Sequence, residues 1–213
     1  MTNVIERVVA WIREQQRPLI IGISGHGAAG KTTFTANLVG ALQQDVNVLN
    51  TDPYIVPSTF RQLAQITYTY NGKTVTDNMT ACHPSAHNIA FLERDVRMLR
   101  EHMDVLTLPT HYAPSELLQG ERTITIVEGM SVAFIDASLF DVRLYFYTDA
   151  DTELARRMTR DVMERGTAPQ YLQQSHERRR AQYELFMHPS SAHFDVLVKH
   201  TTFGETIERI ALS

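Results

Sequence analysis

A chain of 213 residues with 43% hydrophobic and 21% charged side chains, 10 Gly and 8 Pro lies near ordinary globular usage, which excludes collagen-like, coiled-coil and low-complexity classes. Its charge balance of 20 Lys and Arg against 24 Asp and Glu, a net −4, supplies no overall basic field for a nucleic acid or an anionic membrane. The single cysteine, Cys82, excludes an intrachain disulfide and a Cys-x-x-Cys zinc site, and fits a reducing, cytoplasmic setting.

Residues Met1 to Gln16 carry Val4, Ile5, Val8, Val9 and Ile12 at helical spacing among charged residues, which predicts a helix rather than a signal peptide. Nothing approaches the roughly 18 apolar residues of a membrane span. The expectation is a soluble protein, mature as written, with one domain over residues 1–213. After Pro18, Leu19 to Ser24 (LIIGIS) reads as a strand apolar on both faces, as in a buried parallel sheet. A Gly-rich turn and a helix to about Gln43 follow, then a strand from Val46 to Asn50. Pro53 and Pro57 make the next segment a loop at that strand's C-terminal end.

Residues 61–80 alternate around Asn71-Gly72, the signature of a hairpin, so a β-excursion is expected there. From Asn88 to Met103, Ile89, Leu92, Val96, Leu99 and Met103 share one helical face. Three further strands are predicted at Val105–Pro109, Arg122–Gly129 and Val142–Thr148. Thr148 then opens a Thr-x-x-Asp cap before a helix ended by Gly166, and Pro169 starts another to about Met187. A strand from Phe194 to Lys199 and a short terminal helix close the chain. Strands alternating with helices predict an α/β fold: a three-layer α/β/α sandwich with a mostly parallel sheet, with the β-hairpin excursion and a small helical lid over 151–187.

The chemistry-bearing motif is Gly25-His26-Gly27-Ala28-Ala29-Gly30-Lys31-Thr32, followed by Thr33. It satisfies G-x-x-x-x-G-K-[ST] between a predicted strand and a predicted helix, the context in which such a loop cradles phosphates. Lys31 would reach the β/γ-phosphates and Thr32 would offer its hydroxyl to Mg²⁺. No Asn is followed by Lys as in a guanine-reading Asn-Lys-x-Asp, so ATP is the expected nucleotide.

Phosphoryl transfer also needs an orienting carboxylate or base, a metal carboxylate and cations. Asp52, just after the second strand, is placed for the first role, and Glu128, ending the apolar run ITIV, for Mg²⁺. Arg156 and Arg160 are four apart on one helix and could close over phosphates, with Arg157 and Arg165 nearby. The run Arg178-Arg179-Arg180 points three ways on a helix and reads as mostly solvated. Cys82, His83 and His87 form the nearest approach to a metal cluster, but Pro84 holds His83 out of the α region, which favours a pocket or loop role over zinc.

These residues resemble the uridine kinase and phosphoribulokinase family of P-loop kinases. GISGHGAAGKTT, TDPY, IVEG and TDADTELARRMTRDVMERG carry the resemblance, with HPSAH and HPSSAHFDVLV in support, over most of residues 19–199. It implies ATP- and Mg²⁺-dependent phosphorylation of a hydroxyl on a small molecule, with Asp52 as the catalytic base and Arg156, Arg160 and Arg165 as lid arginines. Asp52, Tyr54, Cys82, His83, His111 and Tyr112 would face the acceptor, uridine or cytidine in the leading reading. The departures concern that acceptor: Cys82 stands where uridine kinases have an Asp that helps hold the ribose, Thr110, His111 and Tyr112 follow Pro109 in place of x-Tyr-Asp, and Glu153 replaces an Arg. A sugar or vitamin precursor is therefore the alternative acceptor, and a catalytically silent nucleotide-binding regulator the rival from another class. No nucleic-acid or membrane partner is expected, and a homo-oligomer is left open.

Overall fold

The computed structural model describes residues 2–110, 114–166 and 168–212, with the backbone alone of Thr2, Asn3, Glu164 and Arg165. α1 (Thr2–Glu14) leads into β1 (Leu19–Gly25), every residue of which is buried. Gly25 ends that strand at φ +141°, where a Cβ would lie 1.8 Å from the Phe146 carbonyl oxygen. Only glycine lets the chain leave the sheet so close to its neighbour. α2 (Lys31–Leu42) buries Phe34, Leu38 and Leu42 and leads to β2 (Asn47–Asn50).

A 3₁₀ turn over Asp52–Tyr54 and the short α3 (Ser58–Arg61) precede the hairpin of β3 (Gln65–Tyr70) and β4 (Lys73–Asn78). Its turn residues Asn71 and Gly72 both have positive φ, as a two-residue hairpin loop requires. α4 (Ile89–Arg100) buries Leu92, Val96 and Leu99. The strand expected to run to Pro109 is only β5 (Val105–Leu106), paired antiparallel with β6 (Leu117–Leu118) outside the main sheet. Val105 is buried but Leu106 is 63% exposed, so no second apolar face is available to carry the strand into the sheet.

β7 (Ile124–Glu128) and β8 (Val142–Thr148) continue the main sheet, and α5 (Ala150–Arg165) and α6 (Pro169–Gln182) follow, the latter running into a π-turn at Tyr183–Met187. The N-cap of α5 is Asp149, whose carboxylate accepts the Thr152 amide at 2.7 Å, rather than Thr148. Thr148 is instead drawn into the sheet as the last residue of β8. β9 (Val196–Thr201) is followed by β10 (Gly204–Ile210), an antiparallel strand where a terminal helix was expected.

The sheet order is β10-β9-β8-β1-β7-β2, parallel except for β10. Leu19, Ile21 and Ile23 of β1 pack with α1, α2 and β9 on one face, while Ile20 joins Leu92, Val96 and Tyr183 on the other. Helical layers thus cover both faces, and the C-terminal ends of β1, β2 and β7 converge. Among the described residues no helix is long and apolar enough to cross a membrane.

Candidate active site

A cleft of 1340 Å³ opens at those strand ends, above the roughly 300–1,000 Å³ of a single small-ligand pocket. Gly27, Ala28, Gly30, Lys31, Thr32 and Thr33 form its floor. Gly30 caps α2 at φ 96° with no side chain bonded to the first turn, so that turn's N–H groups are left for an incoming anion. A Cβ on Gly30 would come within 2.8 Å of the His200 ring. Lys31 Nζ donates to the His26 carbonyl at 3.0 Å, and Thr32 Oγ1 donates to Glu128 Oε2 at 3.3 Å.

Electrostatics bind these residues together. Burial lifts the Glu128 carboxyl above its ordinary range, with Lys31 opposing and Asp52 adding to the shift. Burial likewise lowers the Lys31 ammonium, restrained first by Glu128 and then by Asp52. Asp52 itself lines the cleft on the turn after β2, its amide donating to Asn50 Oδ1 at 2.8 Å. Arg156 Nη1 donates to the Ala28 carbonyl at 3.2 Å, and Arg160, held by Asp161 at 2.8 Å, also lines the cleft. The fold therefore brings Lys31, Thr32, Asp52, Glu128, Arg156 and Arg160 to one opening.

Other expected site residues lie elsewhere. Tyr54 is a correction: its ring is fully buried and its hydroxyl donates to Asp95 Oδ2 at 2.5 Å, so it anchors the Asp52 turn to α4 instead of facing an acceptor. Cys82 is 3% exposed within the core, and burial raises its thiol pKa. The cleft wall there is its neighbour Ala81. His83 also turns away, accepting the Ser85 amide and packing against Phe186. In the loop itself, Gly25, His26 and Ala29 sit beneath the floor, with the His26 ring bonded to Thr148. His111, Tyr112 and the Arg165 side chain lie outside the described residues.

Sequence reasoning missed Asn50, Arg61, Arg179 and His200, all on the cleft wall. The arginine run 178–180 is not a solvated face: Arg179 lines the cleft, and Arg180 donates to the Thr148 carbonyl at 3.0 Å and Glu184 at 2.8 Å. Glu153, the unexpected acid on α5, is buried and takes its counter-charge from Arg180 at 3.4 Å.

A sequence model of the Phosphoribulokinase / Uridine kinase family matches residues 20–206. The chain belongs to that family. It is a P-loop kinase, a phosphotransferase of α/β fold. Similar proteins include a uridine kinase of Chlamydia pneumoniae, 26% identical over 92% of this chain and 87% of its own length. A uridine kinase of Staphylococcus epidermidis is 30% identical over 84% and 86% respectively. Among solved structures, the phosphoribulokinase from Rhodobacter spheroides superposes with a TM-score of 0.59 over 87% of this kinase and 71% of its own chain, at 15% identity, a likeness of fold.

Proposed function

We propose that this kinase transfers the γ-phosphoryl group of ATP to a hydroxyl of a small-molecule acceptor. The observation that carries the reading is the convergence of Lys31, Thr32, Asp52 and Glu128 at the uncapped start of α2. Thr32 and Glu128, 3.3 Å apart, form a hydroxyl and carboxylate pair suited to Mg²⁺, which when bound would neutralise phosphate charge.

The remaining work falls to the chain's own groups. Lys31, the α2 N-terminus, Arg156 and Arg160 hold and orient the triphosphate. Asp52 accepts the proton of the acceptor hydroxyl as the acceptor oxygen bonds to the γ-phosphorus and the bond to the bridging oxygen breaks, releasing ADP. The lid arginines meet the charge that develops on the transferring group. The stretch of α5 and α6 acts as a lid over the one kinase domain.

A nucleoside, uridine or cytidine, is the leading acceptor, and the names of the relatives support uridine. The buried Cys82, in a place where a ribose-holding carboxylate would be needed, favours a non-nucleoside one. Mg²⁺-dependent ADP release against a panel of nucleosides, sugars and vitamin precursors tests the reading. Lys31→Ala is expected to abolish turnover, and Asp52→Asn to lower kcat by about 10²–10⁴-fold while retaining ATP binding. Unchanged kcat in Asp52→Asn removes Asp52 as the base, and ATP binding without turnover on any acceptor favours a regulatory protein.

A further inference from the structure

The phosphate loop closes onto β8 through a buried imidazole that has charges of both signs around it. His26 accepts the Thr148 amide at Nε2 while its Nδ1–H donates to the Gly27 carbonyl. Glu153 of α5, also buried, lies 3.7 Å from that Nδ1. Burial holds the His26 pKa down at about 4; Glu153 and the Gly27 carbonyl push it up, while Lys31 of α2 and Arg180 of α6 push it down. Tyr183, packed edge-on against the ring, is a phenol that burial keeps neutral.

Arg180 stands where these restraints meet. Its Nη1 donates at 3.0 Å to the carbonyl of Thr148, the same residue whose amide bonds His26, and at 3.4 Å to Glu153 Oε2. Its Nε donates to Glu184 Oε1 at 2.8 Å, and its guanidinium lies 4.8 Å from the centre of the Tyr183 ring. The Tyr70 hydroxyl of the hairpin fixes Glu184 in turn, at 2.6 Å. Among the described residues Arg156, Arg160 and Arg179 line the cleft and Arg180 does not, so any effect of Arg180 on the nucleotide passes through other groups.

His26 can hold the loop in one state only. An acceptor at Nε2 is a neutral ring with its proton on Nδ1, and a proton on Nε2 would set a second N–H against the Thr148 amide. The Glu153 carboxylate favours that extra proton, and Arg180 is the cation paired with it. Arg157 also feels Glu153, but its own partner is Asp161 at 3.5 Å, and His176 shares the same field. Without Arg180 the buried carboxylate is stranded, and His26 is the neighbour within 4 Å that can acquire a positive charge.

We propose that Arg180 is a positioning residue of the nucleotide site: by pairing with Glu153 and holding the Thr148 carbonyl, it keeps His26 in the form that accepts the Thr148 amide and so keeps the phosphate loop in its ATP-binding shape. The proposal rests on the reading of residues 25–33 as the ATP loop.

The test uses the full chain and two readouts. One is the affinity for a non-hydrolysable ATP analogue with Mg²⁺ at about pH 7.5 and about pH 5.5, on either side of the ordinary histidine value. The other is the NMR titration of the His26 Cε1–H, assigned by its absence in His26→Gln. Arg180→Gln is expected to move that titration up from about 4 toward the ordinary value of about 6.5. Between the two pH values it should lose about tenfold more affinity than the parent loses, as the neutral fraction of the ring falls. Adding Glu153→Gln to Arg180→Gln is expected to restore the parent's pH dependence in both readouts, because no stranded carboxylate is left. Uniformly weaker binding with the parent's pH dependence overturns the proposal. So does a titration that rises at His176 in place of His26, or a double variant that keeps the pH dependence of the single one. If Arg180→Gln does not fold, the double variant decides: folded with the parent's pH dependence it supports the proposal, and unfolded it overturns it in favour of a purely structural arginine. A parent that does not bind the analogue defeats the kinase reading instead, and the imidazole titration still judges Arg180.

Discussion

The amide of Thr148 donates to Nε2 of His26 at 2.9 Å, tying the phosphate loop to the last residue of β8. The ring's Nδ1–H donates to the Gly27 carbonyl at 2.8 Å, and its edge packs on Tyr183 with centroids 4.6 Å apart. One buried imidazole thus positions the loop, β8 and the π-turn after α6. His26→Ala orphans the Thr148 amide and opens a void, at a cost of about 2–4 kcal/mol. We expect the KM for ATP to rise several-fold with a smaller change in kcat, checked by denaturant unfolding and steady-state kinetics, and His26→Gln to recover part of both.

The same residue makes stability depend on pH. Burial lowers the His26 pKa to about 4, and that of His87 to about 4. His87 donates from Nε2 to the Ala81 carbonyl at 2.8 Å and accepts from Ser131 Oγ at 2.7 Å. Both are neutral when folded but take up a proton near pH 6.5 when unfolded, so the unfolded chain binds more protons between those values. Their contribution is complete above about pH 6.5 and is lost as pH falls toward about 4, on the order of 3 kcal/mol per residue. Urea midpoints at pH 7 and pH 5 should fall for the parent, and fall less for His87→Gln.

Glu128 faces Thr32 and Lys31 from the end of β7, in surroundings where burial already disfavours its charge. Glu128→Gln keeps the shape and removes the charge. The Mg²⁺ concentration for half-maximal ADP release is expected to rise about tenfold or more, with kcat also lower, because a neutral amide is a poorer ligand for a hard cation. An unchanged Mg²⁺ dependence would transfer the metal carboxylate to another residue.

How far these features were legible follows from the local physics. The buried apolar runs at 19–24, 124–128 and 142–148 announce parallel strands because both faces must be dry, and Asn71-Gly72 announces its own turn. β10 was hidden by a bulge: the register shifts between Ile207 and Arg209, so Ile207 and Ile210 both reach the core at a spacing of three that imitates a helix. The phosphate loop, Asp52 and Glu128 were readable because each ends a strand. Arg61 and Arg179 were not, since no local pattern shows that α3 and α6 face one cleft. Tyr54 misled for the complementary reason: its partner, Asp95, lies on a distant helix.

Gly129 holds the turn that links these carboxylates. It adopts φ +147°, and a Cβ there would fall 1.9 Å from Thr51 Oγ1. Thr51 is itself pinned to β7, its amide donating to the Glu128 carbonyl at 2.8 Å. Alanine at 129 must therefore push the Thr51–Asp52 turn away from Glu128, besides straining a backbone conformation that side chains rarely adopt. Gly129→Ala is expected to cost about 1–3 kcal/mol of stability. Because Asp52 moves while the loop at 25–33 does not, kcat should fall about tenfold or more with the Kd for ATP within about threefold of the parent. Equal losses in ATP binding and turnover would show that the glycine supports the phosphate loop rather than the position of Asp52.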